Sequence, residues 1–290
     1  MFTVDLLFNA LIAGVLLGGF YAAVSLGLTV SFGQLNIVNI AHPAFIILGS
    51  YIAYMFNSVW GLDPILSGII CIPVFFLIGA GAYRLYYESF ERKDDEALRG
   101  LAFFFGVMFI IEVALIMVYG VDFRTVQASY IGQSWKAGGV GVPTRMFVPF
   151  CVSVVMFSAV YLYMSRTFNG RAIKAVAQDR LALQLMGADP VKIKQLGFGI
   201  SIGTAALAGA LLIIIIPVEP SVGRLYIGQV FAIAVLAGLG SIPGTLVAGI
   251  VLGIAESLVS TFFGPSWAPA VAFGILLLAL AFRPQGLFGR

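Results

Sequence analysis

The sequence predicts an all-α, polytopic integral membrane protein with about 8–9 hydrophobic helices, some of them interrupted by glycine and proline or re-entrant. Three observations predict it. First, 61% of the 290 residues are hydrophobic and only 10% are charged, with a mean hydropathy of +1.05. A soluble domain carries about 25% charged residues, so this chain cannot cover a water-facing surface. Second, apolar runs recur that reach the roughly 20 residues needed to cross a hydrocarbon core. Third, there are 34 glycines. Gly14/Gly18, Gly199/Gly203 and Gly249/Gly253 are GxxxG pairs, which let helices approach closely in a solvent that gives them no hydrophobic drive to associate. The formal charge of +3 is too small for a nucleic-acid-binding face.

The predicted spans are 6–31, 36–57, 64–87, 99–119, 145–165, 197–217, 227–239, 244–263 and 267–283, within a single transmembrane domain over 1–290. Each is read as a helix, because a helix satisfies its own backbone groups in lipid. The 227–239 run is short, so it reads either as a crossing or as a re-entrant half-helix. No lysine or arginine precedes Arg84; four lie in 84–99 and six in 166–194. Positive charge marks the cytoplasmic side. Two crossings separate these clusters, so both are expected inside and the N-terminus outside. The C-terminus is inside only if 227–263 crosses twice.

Residues 166–196 form the longest basic interruption. Ile173, Val176, Ala177, Leu181 and Leu185 recur at helical spacing and predict one apolar stripe on a helix of about four turns over 171–186. Arg171, Lys174, Gln178 and Asp179 lie largely off that stripe. Gly187 suits the C′ position after the helix. Asp189 and Pro190 read as N-cap and first residue of the next one. The pattern fits a helix lying on the bilayer surface and equally one docking into a groove on a partner.

Two stretches interrupt the apolar runs. GQLNIVNIAHPAF, Gly33 to Phe45, carries Gln34, Asn36, Asn39, His42 and Pro43; LAGLGSIPG, Leu236 to Gly244, carries Gly240, Ser241 and Pro243. Interrupted segments in the two halves of a transporter point to a path near the membrane midplane. The plainer reading of the first is an interfacial loop in which Asn39 or His42 caps the next helix. Glu112 and Glu256 are intramembrane carboxylates, each a functional candidate by default or else a structural, hydrogen-bonded group. The sequence GISIG around Ser201 matches a nucleophile elbow, but it lies inside an apolar helix, far in sequence from the single histidine. No Gly-Lys dipeptide exists, so no phosphate-binding P-loop does either. Cys71 and Cys151 form no CxxC, read as two buried thiols, and with one histidine give no metal set.

Several of these blocks resemble the permease subunits of branched-chain amino-acid ABC importers. GLTVSFGQLNIVNIAHPAFIILGSYIAY (Gly27 to Tyr54) resembles that family's early block. The Asn169-to-Ser201 stretch resembles its cytoplasmic coupling segment. LAGLGSIPGTLVAGIVLGIAESL resembles its late glycine-rich block, and FRPQGLFGR its C-terminal signature. The likeness runs in order from about Leu16 to Arg290. It departs at Pro43, where the family more usually has glycine. The resemblance implies an inner-membrane subunit of a bacterium or archaeon that catalyses nothing itself and pairs with a second, homologous permease. Two ATP-binding subunits would carry ATP and Mg, this chain would bind no cofactor, and a periplasmic binding protein would deliver Leu/Ile/Val-type substrates. It implies ATPase-coupling roles for Arg171, Ala172, Lys174, Ala175, Asp179, Ala182, Gly187, Asp189 and Pro190. Gln34, Asn36, Asn39, His42, Gly240, Ser241 and Glu256 would line or brace the path. Urea, short amides or other amino acids as cargo, or a self-sufficient secondary transporter using Glu112 or Glu256, are the alternatives.

Overall fold

The computed structural model of the chain describes residues 4–91, 97–137, 140–283 and 285–289. Arg92 and Lys93, two of the four cations in the first basic interruption, lie outside them. Eleven helices follow in order: α1 (Val4–Leu35), α2 (His42–Trp60), α3 (Pro64–Ser89), α4 (Ala97–Tyr119), α5 (Thr144–Arg166), α6 (Phe168–Val176), α7 (Arg180–Leu185), α8 (Pro190–Ile215), α9 (Gly223–Ala237), α10 (Ile242–Phe263) and α11 (Ala268–Phe282). Among the described residues nine segments are helical, long and apolar enough to cross a membrane. One of them is Pro220–Ala237, so the short 227–239 run is the end of a full-length span that begins in a 3-10 turn. Between α4 and α5 the chain forms a small antiparallel hairpin, β1 (Ser134–Ala137) and β2 (Val140–Pro143), with Trp135 opposite Val142. Hydropathy carries no signal for so short a hairpin outside the spans, and the sequence reading missed it.

Helix α8 is the axis of the bundle: 94% of its apolar window is buried, and α1, α2, α3 and α5 all pack on it. Serine hydroxyls tie it to its neighbours. Ser201 Oγ donates to Gly27 O at 2.6 Å, and Ser50 Oγ of α2 donates to Gly209 O at 2.7 Å. Ser201 is thus a buried helix-to-helix tie. The His42 ring packs beside the same Gly27, but its Nε2 faces Val24 O at 3.2 Å. The hydroxyl and the imidazole each spend themselves on an α1 carbonyl, so the GISIG match carries no nucleophile.

The GxxxG pairs sit where helices touch. Gly14 and Gly18 on α1 face Gly249 and Gly253 on α10, and Gly199 packs against Phe76 of α3. A methyl group on Gly253 would lie 2.5 Å from Gly18 Cα, backbone against backbone. Gly253→Val is therefore expected to force α1 and α10 apart. Overpacking costs about 1–3 kcal/mol even where side chains can shift. The thermal midpoint in detergent should fall by several degrees, and an unchanged midpoint would remove this contact from the core.

The two basic interruptions meet at one end of the bundle, where Glu91 contacts Lys194 and Arg180. Arg124 and Arg145 lie at the other end, with Arg124 N–H on Val218 O and Arg145 on Ile215 O. Both α9 and α10 cross, which returns the C-terminal segment to the basic end. There Leu287 N–H and Phe288 N–H donate to Leu236 O and Ala237 O at 2.8 and 3.1 Å. These are carbonyls that the last turn of a helix leaves without intrahelical partners. One thiol expectation fails: Cys71 is buried but Cys151, on α5, is exposed.

Candidate coupling and translocation sites

The segment after α5 is two short helices, not one of four turns. Helix α6 is N-capped by Thr167, whose Oγ1 accepts from Gly170 N–H at 3.0 Å. It ends at Val176, and Asp179 opens α7 by accepting from Ala182 N–H at 2.9 Å. Asp179 is therefore a cap, a role that aspartate takes more readily than a mid-helix position. The predicted stripe divides at this joint. Ala172, Ile173 and Val176 are buried against the bundle, with Ala175 and Lys174 half-buried and Arg171 exposed. Leu181 and Leu185 are 66% and 82% exposed beside an exposed Met186, whereas Leu183 turns inward. The outward face of α7 is thus apolar.

The turn into α8 is as predicted. Gly187 takes φ +81°. Gly187 N–H donates to Gln184 O at 2.9 Å and Ala188 N–H to Leu183 O at 3.2 Å, the Schellman pair. Asp189 then caps α8, accepting from Val191 N–H at 2.9 Å, with Pro190 first in the helix and buried. The α6–α7 segment and the central helix are joined with no slack between them.

A second tie was not anticipated. Glu91, just past α3, is buried and accepts from Tyr83 Oη at 3.0 Å, from Arg180 Nη2 at 3.0 Å and from Lys194 Nζ. It binds α3, the first residue of α7 and the foot of α8. Lys194 is itself buried. In the sequence Glu91 is one of several charges in a polar loop, and only the fold reveals that three elements converge on it. Beside it lies a cavity of about 270 Å³ lined by Asn36, Glu91, Gln178, Arg180 and Lys194 among others. Asn36, expected on the path, thus faces the α7 end of the bundle. It takes φ +58° where α1 ends, a region in which asparagine is enriched among non-glycine residues.

The first interruption is a buried crossing of the interior. Gln34 still belongs to α1, and residues 36–41 have no helical structure. Helix α2 then starts with His42 beside Val24, about three turns before the end of α1. Irregular backbone is tolerated so deep only where protein or a water-filled cavity covers it. Neither Asn39 nor His42 caps α2: the N-cap is Ala41, without a side-chain hydrogen bond, and Pro43 fills the first turn. Asn39 and His42 are fully buried instead. Both side-chain polar atoms of Asn39, His42 Nδ1 and Gln34 Oε1 have no protein partner. Buried polar atoms without partners are rare and ask for an explanation.

The second interruption is not at the same depth. Gly33 and Gly240 meet backbone to backbone, and Gln34 Nε2 donates to Gly240 O at 3.2 Å. Gly240 therefore lies near the end of α1, where Leu35 packs against Gly197 and α6 touches α1. Ser241 caps α10, accepting from Gly244 N–H at 3.1 Å. The two breaks predicted as matched midplane features therefore differ in depth: the second touches only the Gly33–Gln34 start of the first, at the basic end.

Both intramembrane carboxylates are engaged. Glu112 of α4 accepts from Arg224 at the start of α9, with Nε 2.9 Å away and Nη2 on the other oxygen. Glu256 of α10 is buried and accepts from Tyr21 Oη at 2.5 Å and from Gln229 Nε2 at 3.0 Å. Gln229 and Tyr226 also line a cavity of about 490 Å³, whose walls are otherwise mostly apolar and include Val222, Leu225, Ala272 and Phe273. Glu219 and Arg224 stand among its lining residues. Sequence reading found Glu256 by its burial among apolar residues; Tyr21 and Gln229 are ordinary amphipathic residues with no signal of their own.

The family described as branched-chain amino acid transport system / permease component matches residues 10–280. The high-affinity branched-chain amino acid transport system permease protein BraD of Pseudomonas aeruginosa is 30% identical over 295 residues, covering 97% of this chain and 95% of BraD. The corresponding protein LivH of Escherichia coli K12 is 28% identical, covering 96% of this chain and 94% of LivH. LivM of the same organism is 24% identical over 92% of this chain and 67% of LivM. A solved structure described as PsaBC from Streptococcus pneumoniae in complex with Fab has the same fold, with a TM-score of 0.51 at 12% identity over 98% of this chain and 94% of that chain. With the family matching nearly end to end on a bundle of membrane-length helices, the chain belongs to the branched-chain amino acid transport permease family.

Proposed function

We propose that this chain is one permease subunit of an ATP-driven importer in the cytoplasmic membrane of a bacterium or archaeon, carrying amino acids of the Leu/Ile/Val type. A second, homologous permease completes the path, two ATPases supply the energy, and a binding protein delivers cargo. The observation that carries the reading is the outward apolar face of α7, locked to the central helix through Gly187–Pro190 and Glu91. A surface-lying helix would turn that face to lipid. A helix that receives a push needs an exposed anchor and a stiff joint, and this segment has both. Arg171, Lys174 and Ala182 flank the anchor; Ala172 and Ala175 seat α6 on the bundle.

The 490 Å³ cavity suits a small apolar cargo with a polar end, since ligand sites are mostly apolar with a few placed polar groups. Gln229, Glu219 and Arg224 supply the polar end, and Glu256 stands behind Gln229, which donates to it. Asn39 and His42 line the deeper path. The secondary-transporter alternative loses support because Glu112 is held by Arg224 and Glu256 by Tyr21 and Gln229.

The test is reconstitution of the chain with its companion subunits in proteoliposomes. Leucine uptake should require ATP and all subunits, and urea or acetamide should not compete. Uptake by this chain alone, driven by a sodium or proton gradient, would overturn the proposal. In the same assay Glu256→Gln should lower uptake about tenfold, the order expected from weakening hydrogen bonds to a charged group worth about 1.5–3 kcal/mol. Unchanged uptake in that variant would take Glu256 off the path.

A further inference from the structure

A groove between α3, α5 and α8 has no role in the reading above. Helices α3 and α5 both pack on α8 but share no substantial contact with each other. The gap between them holds about 430 Å³ and is lined by Phe76, Ala159, Val160, Tyr163, Leu196 and Ile200. Except for the Tyr163 hydroxyl, these side chains are wholly apolar. All six belong to segments of membrane-spanning length.

Each wall leads to a cation at the basic end. On α3, Phe76, Ala80 and Arg84 follow at i, i+4 and i+8. On α8, Ile200, Leu196 and Lys192 follow at the same spacing in the reverse direction. On α5, Ala159, Tyr163 and Arg166 fall at i, i+4 and i+7. Such spacings keep residues on one side of a helix. Because α3 and α5 run toward the basic end and α8 runs away from it, each of the three cations lies one to two turns beyond the groove on its own helix, on the basic side. All three are exposed. Arg84 shares its charge with Glu88 at 2.7 Å, and Lys192 lies 3.9 Å from Asp189. Arg166 makes no ion pair among the described residues. Gln195 Nε2 donates to Ala80 O at 3.1 Å and holds the α3 and α8 walls together at this rim.

We infer that this groove is a binding site for an anionic phospholipid, with one acyl chain along Phe76, Val160 and Ile200 and the phosphate among Arg84, Arg166 and Lys192. Lipid is the occupant that fits both halves of the observation. Cations beyond the basic end of each wall attract anionic headgroups, about 1 kcal/mol for each one near the membrane surface. The groove rests on α8, so the bound lipid braces the helix that joins the coupling segment to the core.

The test is native mass spectrometry of the purified chain in mild detergent, titrated with phosphatidylglycerol or phosphatidylcholine. One phosphatidylglycerol should be retained at least tenfold more tightly than phosphatidylcholine, and inorganic phosphate should not displace it. The triple variant Arg84→Gln, Arg166→Gln, Lys192→Gln should lose that preference. Ala159→Trp, which fills the groove from its exposed edge, should abolish retention with the cations intact. Equal binding of the two lipids, displacement by phosphate alone, or full retention in either variant would overturn the assignment. So would a disulfide from Ala159→Cys to the second permease in the assembled complex, because the groove would then be a subunit interface.

Discussion

Replacing Glu91 by glutamine is expected to cut ATP-driven uptake at least tenfold and to raise the ATP hydrolysed per amino acid carried. The Glu91 and Lys194 side chains are only 3% and 5% exposed, while Arg180 is half in water. Removing one partner of a buried ion pair costs about 3–5 kcal/mol, because the remaining charge stays desolvated. Here that cost falls on the joint between α7 and α8. Without the carboxylate, the two cations repel across the place where the coupling segment must push as one piece with the central helix. Stability and coupling are separable. Replacing a buried ion pair with apolar residues of similar volume is often neutral or stabilising, so Glu91→Leu with Lys194→Met should recover the thermal midpoint. It should not recover uptake, since the bond from Arg180 to Glu91 is still missing, whereas Glu91→Asp should restore uptake in part. Normal uptake by Glu91→Gln would remove this tie from the coupling path. Recovery of uptake together with stability in the double variant would make it a structural tie only.

The parts legible in the sequence are those that rest on local chemistry. Span positions follow from apolar runs, so α3, α5 and α10 fall within a few residues of their predicted ends. The Gly187–Asp189–Pro190 turn follows from capping preferences and is correct to the residue. The parts not legible depend on what meets what. Leu181 and Leu185 continue the period of Ile173 and Val176, so period alone placed them on one common stripe. The kink that turns them outward is set by Asp179, which looks like any polar residue until its cap is seen. The two breaks read as a symmetric pair because sequence gives spacing without depth. The contact of Gly33 with Gly240 and the seat of His42 beside Val24 show that one break runs deep and the other turns near the end of α1. Glu91 and Gln229 were invisible for the same reason: each owes its role to partners more than a hundred residues away or on another helix.

Substitutions at Gly187 should grade coupling in the order Gly, Asn, Ala, Val. The position has φ +81°, yet a Cβ there would meet no atom within 4 Å. The penalty is therefore conformational and not steric crowding with neighbours. A left-handed residue costs an ordinary side chain roughly 1–2 kcal/mol. Asparagine tolerates that region, alanine pays the ordinary cost, and a β-branched residue is a genuine outlier there. With valine the turn is expected to open. The Schellman bonds from Gly187 and Ala188 back to Gln184 and Leu183 would break, and α7 would swing relative to Asp189 and the start of α8. Since nothing packs on Gly187, the bundle should stay folded and keep its thermal midpoint within a few degrees. Uptake should nevertheless fall at least tenfold in the valine variant, with ATP hydrolysis continuing uncoupled or the ATPases no longer retained. Gly187→Asn should keep most of the activity. A valine variant with normal uptake would mean that the turn only connects the two helices. An asparagine variant as impaired as valine would mean that Gly187 is needed for close approach of a partner and not for its backbone angle.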